Sequence, residues 1–280
     1  MQFSKNTQPL ATLVLGGNGK TGRKVVERLS KLKIPVRIGS RSGSPRFDWM
    51  DESTWRPALQ DMDAVYITFQ PDLAVPGTQP LIKAFAGTAV RCGIKKLVLL
   101  SGRGEEEAQQ CESLIMNSGA AWTIVRCSWF NQNFSENFLL DPILAGVVAL
   151  PVGNVGEPFV DTDDIADVAV AALTEQGHDG QLYELTGPRL VSYTQAIGEI
   201  AQATGRDIKF IQITPGQYAK ELRSAHVPQE FIDFILYLFT EVMDGRNAQL
   251  ADGVQRALGR QPKDFSTFVS ETAASGVWNA

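Results

Sequence analysis

Short apolar runs alternate with amphipathic stretches along the first half of the chain. Residues 10 to 15 read as a strand, Lys20 to Lys31 as a helix with Val25, Val26 and Leu29 on one face, and Ile34 to Gly39 as a second strand. The alternation continues with a short third strand at Arg46-Phe47-Asp48, a helix from Glu52 to Leu59 and a fourth strand from Ala64 to Phe69. A helix from Leu81 to Cys92, a buried-type strand from Lys96 to Leu100, a helix from Glu105 to Asn117 and a sixth strand from Trp122 to Arg126 complete this region. Strands alternating with helices in this way predict an α/β fold with a doubly wound parallel sheet, whose ligands lie at the carboxyl ends of the strands.

The regularity falls from Ser128 to Pro158, where Gly, Pro, Asn and aromatic residues accumulate, as expected of a cap or substrate segment. Asp161-Thr162-Asp163-Asp164 then opens a helix to about Glu175, its acids favouring the positive helix end and read as structural. Gln181 to Thr186 adds a strand to the sheet, and Ser192 to Gly205 is an amphipathic helix with Ser192 as cap and Gly205 as stop. Phe231, Phe234, Ile235 and Leu238 recur at helical spacing between Pro228 and Val242, a pattern of core packing. Phe265, Phe268 and Trp278 suggest that the tail packs back on the body. The expected organisation is a core of residues 1–127, to which 158–190 returns, with 128–157 and 191–280 forming a smaller, mostly helical C-terminal substrate lobe.

The first strand ends in Gly16-Gly17-Asn18-Gly19-Lys20-Thr21-Gly22, and a helix follows. Glycine tolerates positive φ and lets backbone approach a ligand, so Gly16, Gly19 and Gly22 can form a tight turn whose amides face a pyrophosphate at a helix N-terminus. The competing nucleoside-triphosphate loop needs a glycine where Val14 stands, inside the strand. A Rossmann-type dinucleotide site is the reading that survives, with Gly16, Asn18, Gly19, Lys20, Thr21 and Gly22 as its turn. Sites for NAD place an acid about 20 residues past the glycines. Here no acid occurs between Glu27 and Asp48, whereas Ser40-Arg41 stands where the second strand ends. Arg41 is therefore placed to pair with a 2′-phosphate, and NADP(H) is the expected cofactor. Lys31 and Lys33 are ordinary solvated charges. Asp48 and Trp49 border the adenine side of such a site, Trp49 being equally suited to packing, and Thr68, Gln70 and Ser101 lie at other strand ends.

A chain of 280 residues with 44% hydrophobic residues can bury a full core. Its net charge of −5 argues against a nucleic-acid surface spread over the protein. Cys92, Cys111 and Cys127 lack metal or disulfide spacing and read as buried thiols, and His178 and His226 are too few for a histidine-rich metal centre, so no metal is expected. Met1 to Pro9 lacks the apolar region of a secretory signal, and no apolar run approaches the ~18 residues of a spanning helix. A cytoplasmic monomer or homodimer acting on a small molecule, without nucleic acid or membrane as partner, is the expectation.

Ordinary short-chain reductases use a Tyr-x-x-x-Lys pair to protonate the developing alkoxide. Four residues after Tyr66, Tyr183, Tyr193, Tyr218 and Tyr237 come Gln70, Gly187, Ile197, Leu222 and Glu241, so the pair is absent. With the glycine turn, Leu97-Val98-Leu99-Leu100-Ser101, Trp122-Thr123-Ile124-Val125-Arg126 after Ser118-Gly119, Trp129-Phe130-Asn131-Gln132-Asn133 and Val160-Asp161-Thr162-Asp163-Asp164-Ile165-Ala166, the sequence resembles the NmrA-like atypical short-chain dehydrogenases. Cys127 departs from the proline that many relatives carry after the arginine. The resemblance implies either an NAD(P)H-dependent reductase of quinone, azo-dye or iminium type or a dinucleotide sensor without turnover. On the reductase reading, hydride passes from NADPH to a small apolar acceptor. Ser101, Trp129, Phe130 and Asn133 are the substrate candidates, and Glu112 is a candidate proton donor whose alternative is a helix-surface carboxylate. The other reading is a redox sensor that binds NADP(H) and acts through a protein partner.

Overall fold

The computed structural model describes residues 10–279, so the reading of Met1 to Pro9 lies outside the described residues. A six-stranded parallel sheet is formed by β1 (Thr12–Leu15), β2 (Val36–Gly39), β3 (Ala64–Ile67), β4 (Lys96–Gly102), β5 (Ala121–Cys127) and β7 (Gln181–Leu185), in the order β2-β1-β3-β4-β5-β7. Thr12 registers with Val36 on one side and Ala64 on the other, so β1 is central. The connections are α1 (Gly22–Lys31), α2 (Trp55–Leu59), α3 (Thr78–Arg91), α4 (Glu106–Met116) and α7 (Thr162–Thr174). After β1 the chain winds first to β2 and then to β3 on the opposite side. In open α/β sheets, ligands bind outside the strand ends at such a reversal.

The expected third strand at Arg46-Phe47-Asp48 is not a strand. The backbone N–H of Phe47 donates to the Ser40 carbonyl, which also takes the Gly43 N–H, and the Asp48 N–H donates to the Thr54 hydroxyl. With two of its three backbone donors spent locally, the segment does not join a ladder. β2 also begins two residues later than expected. Lys33 adopts φ 59 after α1 and the Ile34 N–H reaches back to the Leu29 carbonyl, a helix-ending turn that consumes the first residues of the predicted strand.

The chain divides into two compact units. One holds the described residues up to Ser101 with Glu106–Val125 and Ile165–Tyr183; the other holds Gly102–Glu105, Arg126–Asp164 and the described residues from Glu184. The first unit's core stacks Leu13, Leu15, Val65, Ile67, Leu97 and Leu99 of the strands against Trp55, Ile82, Phe85 and Ile115. Such near-continuous apolar strands are typical of a sheet covered on both faces.

In the second unit lie α5 (Asn133–Glu136), α6 (Leu140–Ala145), β6 (Val147–Leu150), α8 (Tyr193–Thr204), β8 (Lys209–Gln212), α9 (Pro215–Ser224), α10 (Gln229–Tyr237), α11 (Gly253–Leu258) and α12 (Phe265–Ser275). Helix α8 has the expected boundaries: Ser192 and Gln195 make a reciprocal capping box, and Gly205 ends the helix at φ 66. β6 and β8 pair in parallel, a small second sheet that neither segment's pattern announces. α10 runs into a wide π turn at Leu238–Val242. The tail packs as expected, since Phe265, Phe268 and Trp278 are buried and the Trp278 indole donates to the Phe134 carbonyl at 2.9 Å. Among the described residues no helix is long and apolar enough to cross a membrane.

Candidate active site

In the first unit, Gly16 adopts φ +62, a conformation in which L side chains are strained. Its N–H donates to the Gly39 carbonyl at 3.1 Å, and its own carbonyl takes the Gly19 N–H at 2.8 Å, closing the turn. A β-carbon at Gly22 would lie 2.7 Å from the Gly16 carbonyl carbon and 2.9 Å from the Gly17 α-carbon, so close packing of turn against helix requires glycine there. The turn leaves the amides of Asn18 and Thr21 without a backbone carbonyl partner among the described residues, at the N-terminus of a ten-residue helix. Free amides and the positive helix end together suit an anion such as a pyrophosphate. Asn18 is exposed, Lys20 half-buried and Thr21 buried.

The strand ends around this turn converge. The Thr68 hydroxyl donates to the Leu15 carbonyl at 3.0 Å, holding the end of β3 beside the end of β1. Exposed Gln70 reaches toward the same turn, its Nε2 3.9 Å from where a β-carbon of Gly19 would be. Arg41 stands exposed just past β2. Two other bases of this stretch are engaged elsewhere, Arg28 with Asp167 at 2.6 Å and Arg37 with the carbonyls of Ala58 and Gln60. The Asp48 carboxyl, held low by the Met50 N–H and by Arg46, adds a neighbouring negative charge. The Trp49 ring serves packing, with its centroid 5.0 Å from those of Phe69 and Phe85 and its indole donating to the Thr68 carbonyl. These residues fit a dinucleotide phosphate site.

Ser101, at the end of β4, and Glu112, on α4, come together: the hydroxyl donates to the carboxylate at 2.6 Å, and both side chains are buried. The helix-surface alternative for Glu112 thus gives way to a buried, hydrogen-bonded acid.

In the second unit, Trp129, Phe130 and Asn133 are all half-buried. The Trp129 ring lies 5.3 Å from Phe239, which the π turn presents, and Phe239 in turn contacts Tyr193, Tyr218 and Phe138. Two residues here escaped sequence reasoning. Glu157 is buried, takes the Trp129 N–H at 3.4 Å and a hydrogen bond from Ser128; burial outweighs these bonds and the nearby Arg103, pushing its carboxyl up to about 7. Tyr193 is buried, with no hydrogen-bond partner for its hydroxyl among the described residues, and burial first, then Glu157 and Tyr218, raise its pKa. Neither stands in a motif. The acids of Asp161–Asp164 are structural as expected: Lys263 contacts Asp163 at 3.0 Å and Asp161 at 3.8 Å, while Asp164 takes Arg260 at 2.6 Å.

A family model described as NAD(P)H-binding matches residues 16–176, from the first turn glycine through α7. The chain belongs to this NAD(P)H-binding family. Its curated relatives include prestalk A differentiation protein A of Dictyostelium discoideum, 28% identical over 97% of this chain and 95% of that protein. Agroclavine dehydrogenase of Claviceps fusiformis is 29% identical over 96% of this chain and 99% of its own length. Among solved structures, an NADPH-dependent quinone oxidoreductase from Escherichia coli complexed with NADPH superposes with a TM-score of 0.77 at 20% identity, over 93% of this chain and 99% of that one. That likeness supports the Rossmann-like fold, and the family's cofactor class agrees with the glycine turn of the first unit.

Proposed function

We propose that the protein is a reductase that uses NADPH in preference to NADH and acts on a small apolar acceptor such as a quinone or an iminium ion. The observation that carries the cofactor preference is the exposed Arg41 past β2, with no acid between Glu27 and Asp48 to bind the ribose hydroxyls. A guanidinium binds phosphate with paired, charge-assisted hydrogen bonds. The turn Gly16–Gly22, with Thr68, Gln70 and Asp48 beside it, would hold the rest of the dinucleotide. When bound, the reduced nicotinamide supplies hydride. Quinones and iminium ions take hydride readily, so positioning carries most of the catalysis, consistent with the absent Tyr-x-x-x-Lys pair. Trp129, Phe130 and Asn133 of the second unit offer two aromatic surfaces and one amide to orient a flat acceptor, and the Ser101–Glu112 pair of the first unit offers a buried hydroxyl and acid. The dehydrogenase and quinone oxidoreductase named above support a reductase.

Titration with NADPH and NADH tests the preference. Arg41→Ala should weaken NADPH binding about tenfold or more, the scale of losing hydrogen bonds to a charged group, and leave NADH binding unchanged. Equal loss for both cofactors would refute the role of Arg41. NADPH oxidation is then followed with a panel of quinones, azo compounds and iminium ions. Tight NADPH binding with no oxidation by any acceptor would assign a dinucleotide sensor instead.

A further inference from the structure

In the first unit, the loop that follows β2 closes on itself. The Ser40 carbonyl accepts the Gly43 N–H at 3.1 Å and the Phe47 N–H at 2.9 Å, so the chain leaves and rejoins at one point. Arg41 is the first residue inside this ring and Arg46 the last, and both are exposed. The hydroxyls of Ser40 and Ser42, which flank Arg41 in sequence, lie 3.5 Å apart. Arg41 has no hydrogen-bond or ion-pair partner among the described residues. Arg46 has one: its Nη2 donates to Asp48 Oδ2 at 2.5 Å. The other Asp48 oxygen accepts the Met50 N–H at 3.1 Å, and the same carboxylate feels the positive charge of Arg41.

Two guanidiniums on one short ring thus act on a single carboxylate, which is the arrangement of an anion site that the chain fills for itself. A guanidinium presents its N–H donors in a flat fork that matches phosphate oxygens, and Arg46 commits one of them here. Asp48 is tied to the backbone by the Met50 N–H, whereas the Arg46 side chain is 52% exposed, so Arg46 is the member free to turn. An exposed ion pair holds its partners by a factor of about five at most. A phosphate monoester carries a charge of about −1.5 to −2 at pH 7 and three strong acceptor oxygens, more than a carboxylate offers.

On the reading above that the glycine turn and Arg41 hold NADPH, from which this follows, we infer that Arg46 is a second arginine for the cofactor's 2′-phosphate and that Asp48 is the latch that holds it until the phosphate arrives. The 2′-phosphate takes Arg46 from Asp48, and both guanidiniums then bind it. NADH brings an uncharged ribose hydroxyl to this position, so Arg46 stays with Asp48. Asp48 limits the preference in two ways: it competes for Arg46, and its charge stands beside the bound phosphate. The discrimination between the two cofactors is therefore smaller than two arginines alone would give.

Calorimetric titration with 2′,5′-ADP and with 5′-AMP reads the 2′-phosphate by itself, without nicotinamide or turnover. Arg46→Gln should lower the affinity for 2′,5′-ADP about tenfold, the scale of losing a hydrogen bond to a charged group, and leave 5′-AMP unchanged. Arg46→Lys, which keeps the charge without the fork, should lose less. Asp48→Asn still accepts the Met50 N–H and should raise the ratio of 2′,5′-ADP to 5′-AMP affinity by up to about fivefold. In that background Arg46→Gln should cost more than it does with Asp48 in place. Because Arg46 is exposed, its variants report binding and not folding. If Arg46→Gln leaves the ratio unchanged while Arg41→Ala lowers it, the role of Arg46 is overturned and the NADPH reading stands. A ratio that Asp48→Asn does not raise overturns the latch. An unaltered protein that binds 2′,5′-ADP no more tightly than 5′-AMP overturns both the second arginine and the NADPH preference.

Discussion

Replacing Gly22 by alanine tests whether the glycine turn is shaped by packing or merely tolerates glycine. The added β-carbon would overlap the Gly16 carbonyl oxygen and lie 2.7 Å from its carbon and 2.9 Å from the Gly17 α-carbon. All three are backbone atoms, so no side chain can rotate away. Overpacking of this kind costs about 1–3 kcal/mol. The preference of a helix for alanine over glycine returns roughly 0.5–1 kcal/mol. A net loss of up to about 2.5 kcal/mol lowers the melting temperature by up to about 10 °C for a chain of this size. Relief comes only by moving Gly16 and Gly17 away from α1, which spoils the turn itself. NADPH at a hundred times its Kd stabilises a binding protein by about 2.7 kcal/mol, and Gly22→Ala should lose most of that gain. Thermal unfolding with and without NADPH measures both effects. Gly198→Ala is the control: Gly198 is exposed within α8 and a β-carbon there meets nothing within 4 Å, so the substitution should stabilise by about 0.5–1 kcal/mol. A Gly22→Ala protein that melts with the unaltered one and keeps its full NADPH shift would refute the packing argument.

Two further outcomes concern the second unit. Trp278→Ala removes a fully buried indole and its hydrogen bond to the Phe134 carbonyl, and should destabilise by about 3–5 kcal/mol in denaturant titration; a loss below 1 kcal/mol, well under this range, would show that the tail is not part of this core. Burial raises the Asp264 carboxyl, but Arg189 and Ser266 outweigh it and hold it at about 2. Because the folded value lies below the unfolded one, this pair's stabilisation is present above about pH 4 and lost as pH falls toward 2. Both side chains are about a third exposed, 37% and 32%, so Arg189→Met should cost no more than about 1 kcal/mol at pH 7 and clearly less at pH 2. An equal cost at both pH values would show that packing, not charge, is what Arg189 contributes.

The strands of the sheet were legible because β1, β3 and β4 carry unbroken apolar runs, Leu13–Leu15, Ala64–Ile67 and Leu97–Leu100, a signal that needs no knowledge of neighbours. Helix α8 was legible for the same local reason, its cap and stop being written at Ser192 and Gly205. Arg46-Phe47-Asp48 misled because Phe47 is apolar between polar residues, a strand-like alternation, while the Ser40 carbonyl and Thr54 hydroxyl that take its neighbouring amides are choices of the folded chain. β6 and β8 were hidden for the opposite reason: four residues each, half-exposed, they pair only with one another across about sixty residues of sequence. The shape of the glycine turn could be read from spacing, since Gly16 at φ +62 and the close approach at Gly22 are demands of local backbone geometry. Glu157 could not, because its burial follows from pairing with Val191, and a glutamate between glycine and proline otherwise looks like part of a surface loop.

Two buried glutamates illustrate why residue type alone does not assign chemistry. Glu112 was a candidate because it lies on the helix after β4, and its partner is the Ser101 hydroxyl at 2.6 Å, a short bond in which the serine donates to a carboxylate. That bond fixes the Ser101 hydroxyl against α4. Glu157 receives weaker support, a 3.4 Å amide contact and one hydroxyl, with the nearest guanidinium shared among Ser128, Glu184 and two carbonyls. Burial then dominates and pushes the carboxyl up to about 7. The carboxyl that burial raises to about 7 is Glu157, with few hydrogen bonds of its own, and it lies in the segment whose sequence pattern is least regular.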